Sequence, residues 1–124
     1  MSKILIVDDE LHIRLLLKQT LEEVEEEGVA LITADNGESA LRSIREEKPE
    51  LVFLDVMMPK MNGFEVCKAV KNDPELREVY IVMLTAKGQE FDKRRGKEVG
   101  ADIYITKPFN PDEIIRRARE VLGI

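Results

Sequence analysis

One cysteine, Cys67, and one histidine, His12, occur in the 124 residues. A lone thiol excludes an internal disulfide and suits a reducing compartment, so cytoplasmic residence is expected. One histidine and one cysteine far apart in the chain also do not make a zinc site. Long apolar runs are missing: none approaches the ~20 residues that cross a bilayer. The opening stretch MSKILIVDDE turns acidic at Asp8 and Asp9, unlike a signal peptide, so no membrane partner is expected. Repeats, low-complexity tracts and linkers are absent. So are the glycine-rich phosphate cradles G-x-x-x-x-G-K-[ST] and G-x-G-x-x-G, which argues against a nucleotide-binding module. Basic surplus is lacking too, and a net charge of −6 argues against direct nucleic-acid binding. What is there is 44% hydrophobic and 35% charged. Those are the proportions of a folded chain long enough for one core, so residues 1–124 are expected to form one domain.

Short apolar runs alternate with longer amphipathic segments. KILIV (3–7), ALITA (30–34), LVFL (51–54), VYIVML (79–84) and IYIT (103–106) read as strands. Three are nearly unbroken apolar runs, the mark of strands covered on both faces in a parallel sheet. Between them, residues 10–27 carry Ile13, Leu16, Leu17, Thr20, Leu21 and Val24 at helical spacing. Residues 37–47 put Ala40, Leu41 and Ile44 on one face, with Pro49 beyond the end. Asn62-Gly-Phe-Glu65 reads as a capping box opening a helix to about Lys71, and Asn110-Pro-Asp-Glu113 repeats the signature with Pro111 at the first helical position. Residues 87–99 are the weakest helical pattern. The whole is α/β, (βα)5. Right-handed crossovers put helices on both faces of a doubly wound five-stranded parallel sheet, in flavodoxin-like order 2-1-3-4-5.

The polar residues then fall in a pattern. The first strand ends in Asp8-Asp9, the third in Asp55, the fourth in Thr85 and the fifth in Lys107-Pro108. In a parallel sheet these ends share one edge, and strands 1 and 3 flank the switch point where ligands bind. Three carboxylates held close repel one another. Oxygen-only ligands suit a hard cation, Mg2+ or Mn2+. One Asp55 oxygen then remains to attack phosphorus, with Lys107 neutralising phosphoryl charge and the Thr85 hydroxyl donating to the product. Plainer readings exist for each residue alone: Asp55 as a cap after a strand, Asp9 as the N-cap of the first helix, Thr85 as a loop residue, Lys107 as a solvated lysine.

ILIVDDE, LVFLDVMMPKMNGFE, MLTAKG and GADIYITKPFNPDE together, in order and each at a strand end, resemble the receiver domain of two-component response regulators, in the single-domain, chemotaxis-regulator manner. The resemblance implies that Asp55 accepts a phosphoryl group from a sensor histidine kinase. It implies Mg2+ held by Asp9, Asp55 and the Met57 backbone carbonyl, with Asp8 on a metal-bound water or on the ion. Thr85 would move to meet the phosphoryl group, Lys107 would pair with it, and the Lys107-Pro108 bond would be cis. Tyr104 would be the switch aromatic. As it turns inward, the face made by the fourth helix, fifth strand and fifth helix is remodelled for an unknown output protein. Met57 and Lys87 would tune phosphoryl lifetime. The family gives a switch that catalyses its own phosphorylation and dephosphorylation, working as a monomer or a phosphorylation-dependent dimer. The alternative is a small aspartyl-phosphate phosphotransferase or hydrolase. Such enzymes carry a second acid two residues after the nucleophile, where this chain has Met57.

Several features read more simply. His12 suits a surface position near the partner, Cys67 suits packing, and Met57, Met58 and Met61 suit an adaptable loop. The resemblance further implies that apolar Leu11 and Leu15 on the first helix would meet the kinase. The run Glu22, Glu23, Glu25, Glu26, Glu27 reads as a solvated helix end that the macrodipole disfavours. Lys93, Arg94, Arg95, Lys97, Arg116, Arg117 and Arg119 give the last two helices a basic bias, read as solvated faces in preference to an output surface for an acidic partner.

Overall fold

The computed structural model describes residues 2–86 and 98–124. Five strands, β1 (Lys3–Val7), β2 (Ala30–Ala34), β3 (Leu51–Asp55), β4 (Tyr80–Ala86) and β5 (Ile103–Lys107), form one sheet in the order β2-β1-β3-β4-β5, with every neighbouring pair parallel. This is the predicted topology. The helices are α1 (Leu11–Thr20), α2 (Glu22–Glu26), α3 (Gly37–Glu47), α4 (Gly63–Lys71) and α5 (Pro111–Leu122). The helix expected over 87–99 lies, except for its last two residues, outside the described residues. Among those described, no helix is long and apolar enough to cross a membrane.

Period-two alternation divides the core between the two faces of the sheet. Leu5, Val7, Val52, Leu54, Ile81 and Met83 pack with Ala40, Leu41 and Ile44 of α3 and Val66, Cys67 and Val70 of α4. Ile4, Ile6, Leu51, Phe53, Val82, Leu84 and Ile105 pack with Leu17, Leu21 and Val24 and with Ile114 and Ala118 of α5. β1 and β3 are interior strands whose apolar residues are all but sealed, as their unbroken hydrophobic runs require.

Two helix starts follow their capping chemistry. Asn62 accepts from the Glu65 N–H while Glu65 returns a bond to the Asn62 N–H, a full capping box. Asn110 instead accepts from the Asp112 N–H, with Pro111 at the first position. The expected return bond from Glu113 is replaced by this tighter turn.

The helix expected to run through 10–27 divides at Leu21. There the Thr20 hydroxyl donates to the Leu16 carbonyl at 2.8 Å, a back-bond that bends helices. Leu17, Leu21 and Val24 stay buried through the bend, but Leu16 is 43% exposed and belongs to the surface, not the core face. Asp9 is not the N-cap. That position falls to Glu10, whose side chain makes no cap, and its backbone N–H bonds Asp8 Oδ1 at 2.9 Å.

Candidate functional site

Strand alternation carries straight into the site. Asp8 continues the series Ile4, Ile6; Asp55 continues Leu51, Phe53; Lys107 continues Ile103, Ile105. All three series belong to the sheet face covered by α1 and α5. Three charged residues from three strands are thereby delivered to one side of one edge. Asp8 is fully buried and Asp55 is 7% exposed. The Lys107 ammonium stands between them, donating to Asp8 Oδ2 at 2.9 Å and Asp55 Oδ1 at 3.0 Å. Of the expected gathering of Asp8, Asp9 and Asp55 with Thr85 and Lys107 beside them, direct contacts join Asp8, Asp55 and Lys107.

Gly63 closes the site from behind. A Cβ there would stand 2.3 Å from the Asp55 carbonyl oxygen, and the Gly63 N–H bonds the Val56 carbonyl at 2.8 Å. Only glycine lets the loop 56–62 fold so tightly beside the end of β3. Lys60 in that loop takes a left-handed φ of 71°. Met57 is 71% exposed.

Burial pushes the Asp55 carboxyl up to about 6 from 3.8. The Lys107 hydrogen bond opposes the rise, and the charges of Asp8 and Asp9 add to it. Lys107 is itself held above its ordinary value: the two carboxylates outweigh its partial burial. The site thus holds more negative charge than one lysine neutralises.

Carboxylate oxygens of Asp8, Asp9 and Glu10 lie within 4.8 Å of one another. Asp55 stands outside that grouping and is linked to Asp8 through Lys107. The donor set is all oxygen, with one member fully buried, which fits a hard divalent cation and not zinc. Sequence reasoning passed over Glu10 because exposed glutamates after an acidic pair are unremarkable; its spacing beside Asp8 and Asp9 was the available signal. It also passed over Arg14, whose Nη1 bonds the Asp8 carbonyl at 2.8 Å and steadies the β1–α1 turn. His12 is exposed as expected, 3.2 Å from Glu10.

The other face of the sheet ends differently. Thr85 continues Ile81 and Met83 and is 1% exposed, yet its Oγ1 has no hydrogen-bond partner among the described residues. Tyr104 pairs in register with Met83, and Thr85 with Thr106, so Thr85 and Tyr104 are diagonal neighbours on this face. Tyr104 is half-buried against the same apolar cluster. The Lys107-Pro108 bond is cis. Cys67 is buried, and burial raises its thiol to about 12, which leaves it a packing residue.

Against known proteins, residues 4–119 match the response regulator receiver domain family. The alkaline phosphatase synthesis transcriptional regulatory protein PhoP of Bacillus subtilis is 49% identical over 98% of this chain and 48% of its own length. This chain thus spans about half the length of the curated relatives it matches. The chemotaxis response regulator CheY4 of Vibrio cholerae superposes with a TM-score of 0.85 at 36% identity, covering 98% of each chain. The beryllofluoride-activated DrrB receiver domain does so with 0.86 at 33% identity, covering 100% of this chain and 99% of the other. The chain belongs to the response regulator receiver domain family.

Proposed function

We propose that Asp55 is a phosphoacceptor and that the chain works as a phosphorylation-controlled switch served by a sensor histidine kinase. The observation that carries this reading is the unequal pairing at the strand ends. A buried carboxylate already touches a lysine, and the buried Thr85 hydroxyl on the next strand lacks a partner among the described residues. An unpartnered buried hydroxyl is costly, and a phosphoryl oxygen would satisfy it.

In the step proposed, an Asp55 carboxylate oxygen forms a bond to phosphorus as the bond to the donor's leaving group breaks. Lys107 stays beside Asp55 and offers its ammonium to the phosphoryl oxygens. Asp8, Asp9 and Glu10, with Asp55 and the Met57 carbonyl, would hold Mg2+ or Mn2+, which supplies charge neutralisation to the transferring group. The new acceptors, carrying about −1.5 to −2 charges, draw the Thr85 hydroxyl toward the site. Motion of Thr85 is felt by Tyr104, its diagonal neighbour, and so by an output surface on that side of β5. Hydrolysis of the acyl phosphate resets the switch.

Leu11 and Leu15, 60% and 54% exposed, and Leu16 form an apolar surface on α1. It continues into a groove of Ile13, Leu16, Pro108 and Phe109 beside Lys107. This surface would receive the kinase. A chain with Mg2+ and acetyl phosphate should gain one phosphoryl group at Asp55, and beryllofluoride should shift the resonances of Thr85 and Tyr104. Wild-type protein that stays unmodified under these conditions overturns the reading.

A further inference from the structure

Lys107 reaches Asp55 only if β5 keeps its register. β5 is an edge strand with one neighbour, and four of its five residues are only partly buried. An edge strand is held by a ladder on one side only, and a slip of one residue turns every side chain to the opposite face. Here the slip would withdraw Lys107 from the Asp8–Asp55 face and carry Tyr104 off its own. Something must hold the strand.

The hold lies at the end of β5 remote from the site. The Asp102 N–H bonds the Ile81 carbonyl at 3.1 Å, and Asp102 Oδ2 accepts from the Ile81 N–H at 2.8 Å. The same Oδ2 meets the Lys71 ammonium at 2.7 Å. Lys71 also donates to the carbonyls of Arg77 at 3.1 Å and Val79 at 2.6 Å. An ammonium has three protons, and all three are used. The Lys71 side chain is only 15% exposed. Gly100, at φ +89°, turns directly over its stem: a Cβ there would stand 3.2 Å from Lys71 Cγ.

We propose that Lys71 and Asp102 are positioning residues for the phosphorylation site. Together they form an ionic pin that fastens the start of β5 to α4 and β4 and so fixes the register that presents Lys107 to Asp55 and Tyr104 beside Thr85. Its kinetic consequence rests on the function proposed above; the register itself does not.

The test compares wild type with Lys71→Met, Asp102→Ala and the milder Asp102→Asn, below each melting temperature. Phosphorylation by acetyl phosphate at saturating Mg2+ should slow at least tenfold in the first two and about fivefold in the third. Mg2+ binding should not weaken, because Asp8 and Asp9 follow the interior strand β1 and keep their places when β5 slips. The double variant should be no slower than the worse single one. Cross-strand proton contacts between Leu84 and Ile105 should weaken in step with the rate. If Asp102→Ala fails to fold, Asp102→Asn and Lys71→Met decide. Variants that melt earlier but keep wild-type phosphorylation rates and the Leu84–Ile105 contacts overturn the pin. A wild type that accepts no phosphoryl group sinks the proposed function alone, because the proton contacts still report the register.

Discussion

On the sheet face covered by α1 and α5, the strands end in Asp8, Asp55 and Lys107, three charges tied by contacts of 2.9 and 3.0 Å. On the face covered by α3 and α4, β4 ends in Thr85, a buried hydroxyl with nothing to bond among the described residues. The same edge therefore carries one side whose charges are crowded and paired, and another whose buried hydroxyl is unsatisfied among the described residues. Capture of an anion is a problem of charge and belongs to the first. Transmission of that capture needs a group that gains something by moving, and an unpaired hydroxyl is such a group. The physical difference between the faces predicts that their variants fail in opposite ways.

The largest separation comes from Asp55→Asn. It should abolish phosphoryl uptake from acetyl phosphate, read by intact-mass measurement, while making the resting protein more stable in EDTA at pH 7. The sign follows from burial: a carboxyl raised from 3.8 to about 6 in the fold is charged at pH 7 at a cost. A rise of that size corresponds to at most about 3 kcal/mol, a melting temperature several degrees higher. A variant less stable than wild type would mean that Lys107 more than offsets the burial.

Lys107→Met breaks the crowded side in the other direction. It leaves Asp8 and Asp55 facing each other without their cation, and removing one member of a buried ionic cluster costs about 3–5 kcal/mol. Denaturant unfolding in EDTA should show a loss of that order. Phosphorylation of the folded fraction should slow by roughly 10²–10³. A near-neutral result would show that the two carboxylates do not depend on this lysine.

How far the sequence carried these conclusions differs by the range of the interaction. Strand positions and order were legible because unbroken apolar runs such as LVFL report burial locally, and parity along each run then assigns Asp8, Asp55 and Lys107 to one face. The division of the first helix at Leu21 was not legible, since Thr20 fits the helical spacing and only its bond to the Leu16 carbonyl reveals the bend. Nor was the sense of the acidic run. Arg119 of α5 contacts Glu23 at 3.7 Å and Glu27 at 2.5 Å, across 96 and 92 residues, which gives two of those glutamates a cation where the helix end offers them none. The Lys71–Asp102 contact was hidden for the same reason: its partners are 31 residues apart, and although Asp102 lies within GADIYITKPFNPDE, nothing in that stretch points to Lys71.

Thr85→Val tests the unsatisfied side, with a smaller effect on stability and the opposite sign from Lys107→Met. Valine keeps the shape and removes a buried hydroxyl that has no partner among the described residues, so the resting protein should gain about 1 kcal/mol, read by denaturant midpoint at unchanged slope. The same variant should still take up a phosphoryl group, but the beryllofluoride-induced shift at Tyr104 should shrink well below that of wild type. If Thr85→Val destabilises the resting state, the hydroxyl has a use there and the contrast between the faces is lost.

The smallest effect couples pH to the cation. Without metal, the folded Asp55 binds its proton more tightly than the unfolded chain does. Its contribution to stability is therefore full below about pH 4 and lost as pH rises through about 6. Mg2+ acts in the opposite sense, because it needs the carboxylates ionised. At ten times its Kd it should add about 1.4 kcal/mol at pH 7, a few degrees in melting temperature, and less at pH 5, where Asp55 holds a proton. The difference between melting curves with Mg2+ and with EDTA should thus widen from pH 5 to pH 7, and in Asp55→Asn it should be smaller and nearly flat across that range. A wild-type difference that stays constant with pH would place the cation on the Asp8, Asp9 and Glu10 oxygens alone, with Asp55 left to its lysine.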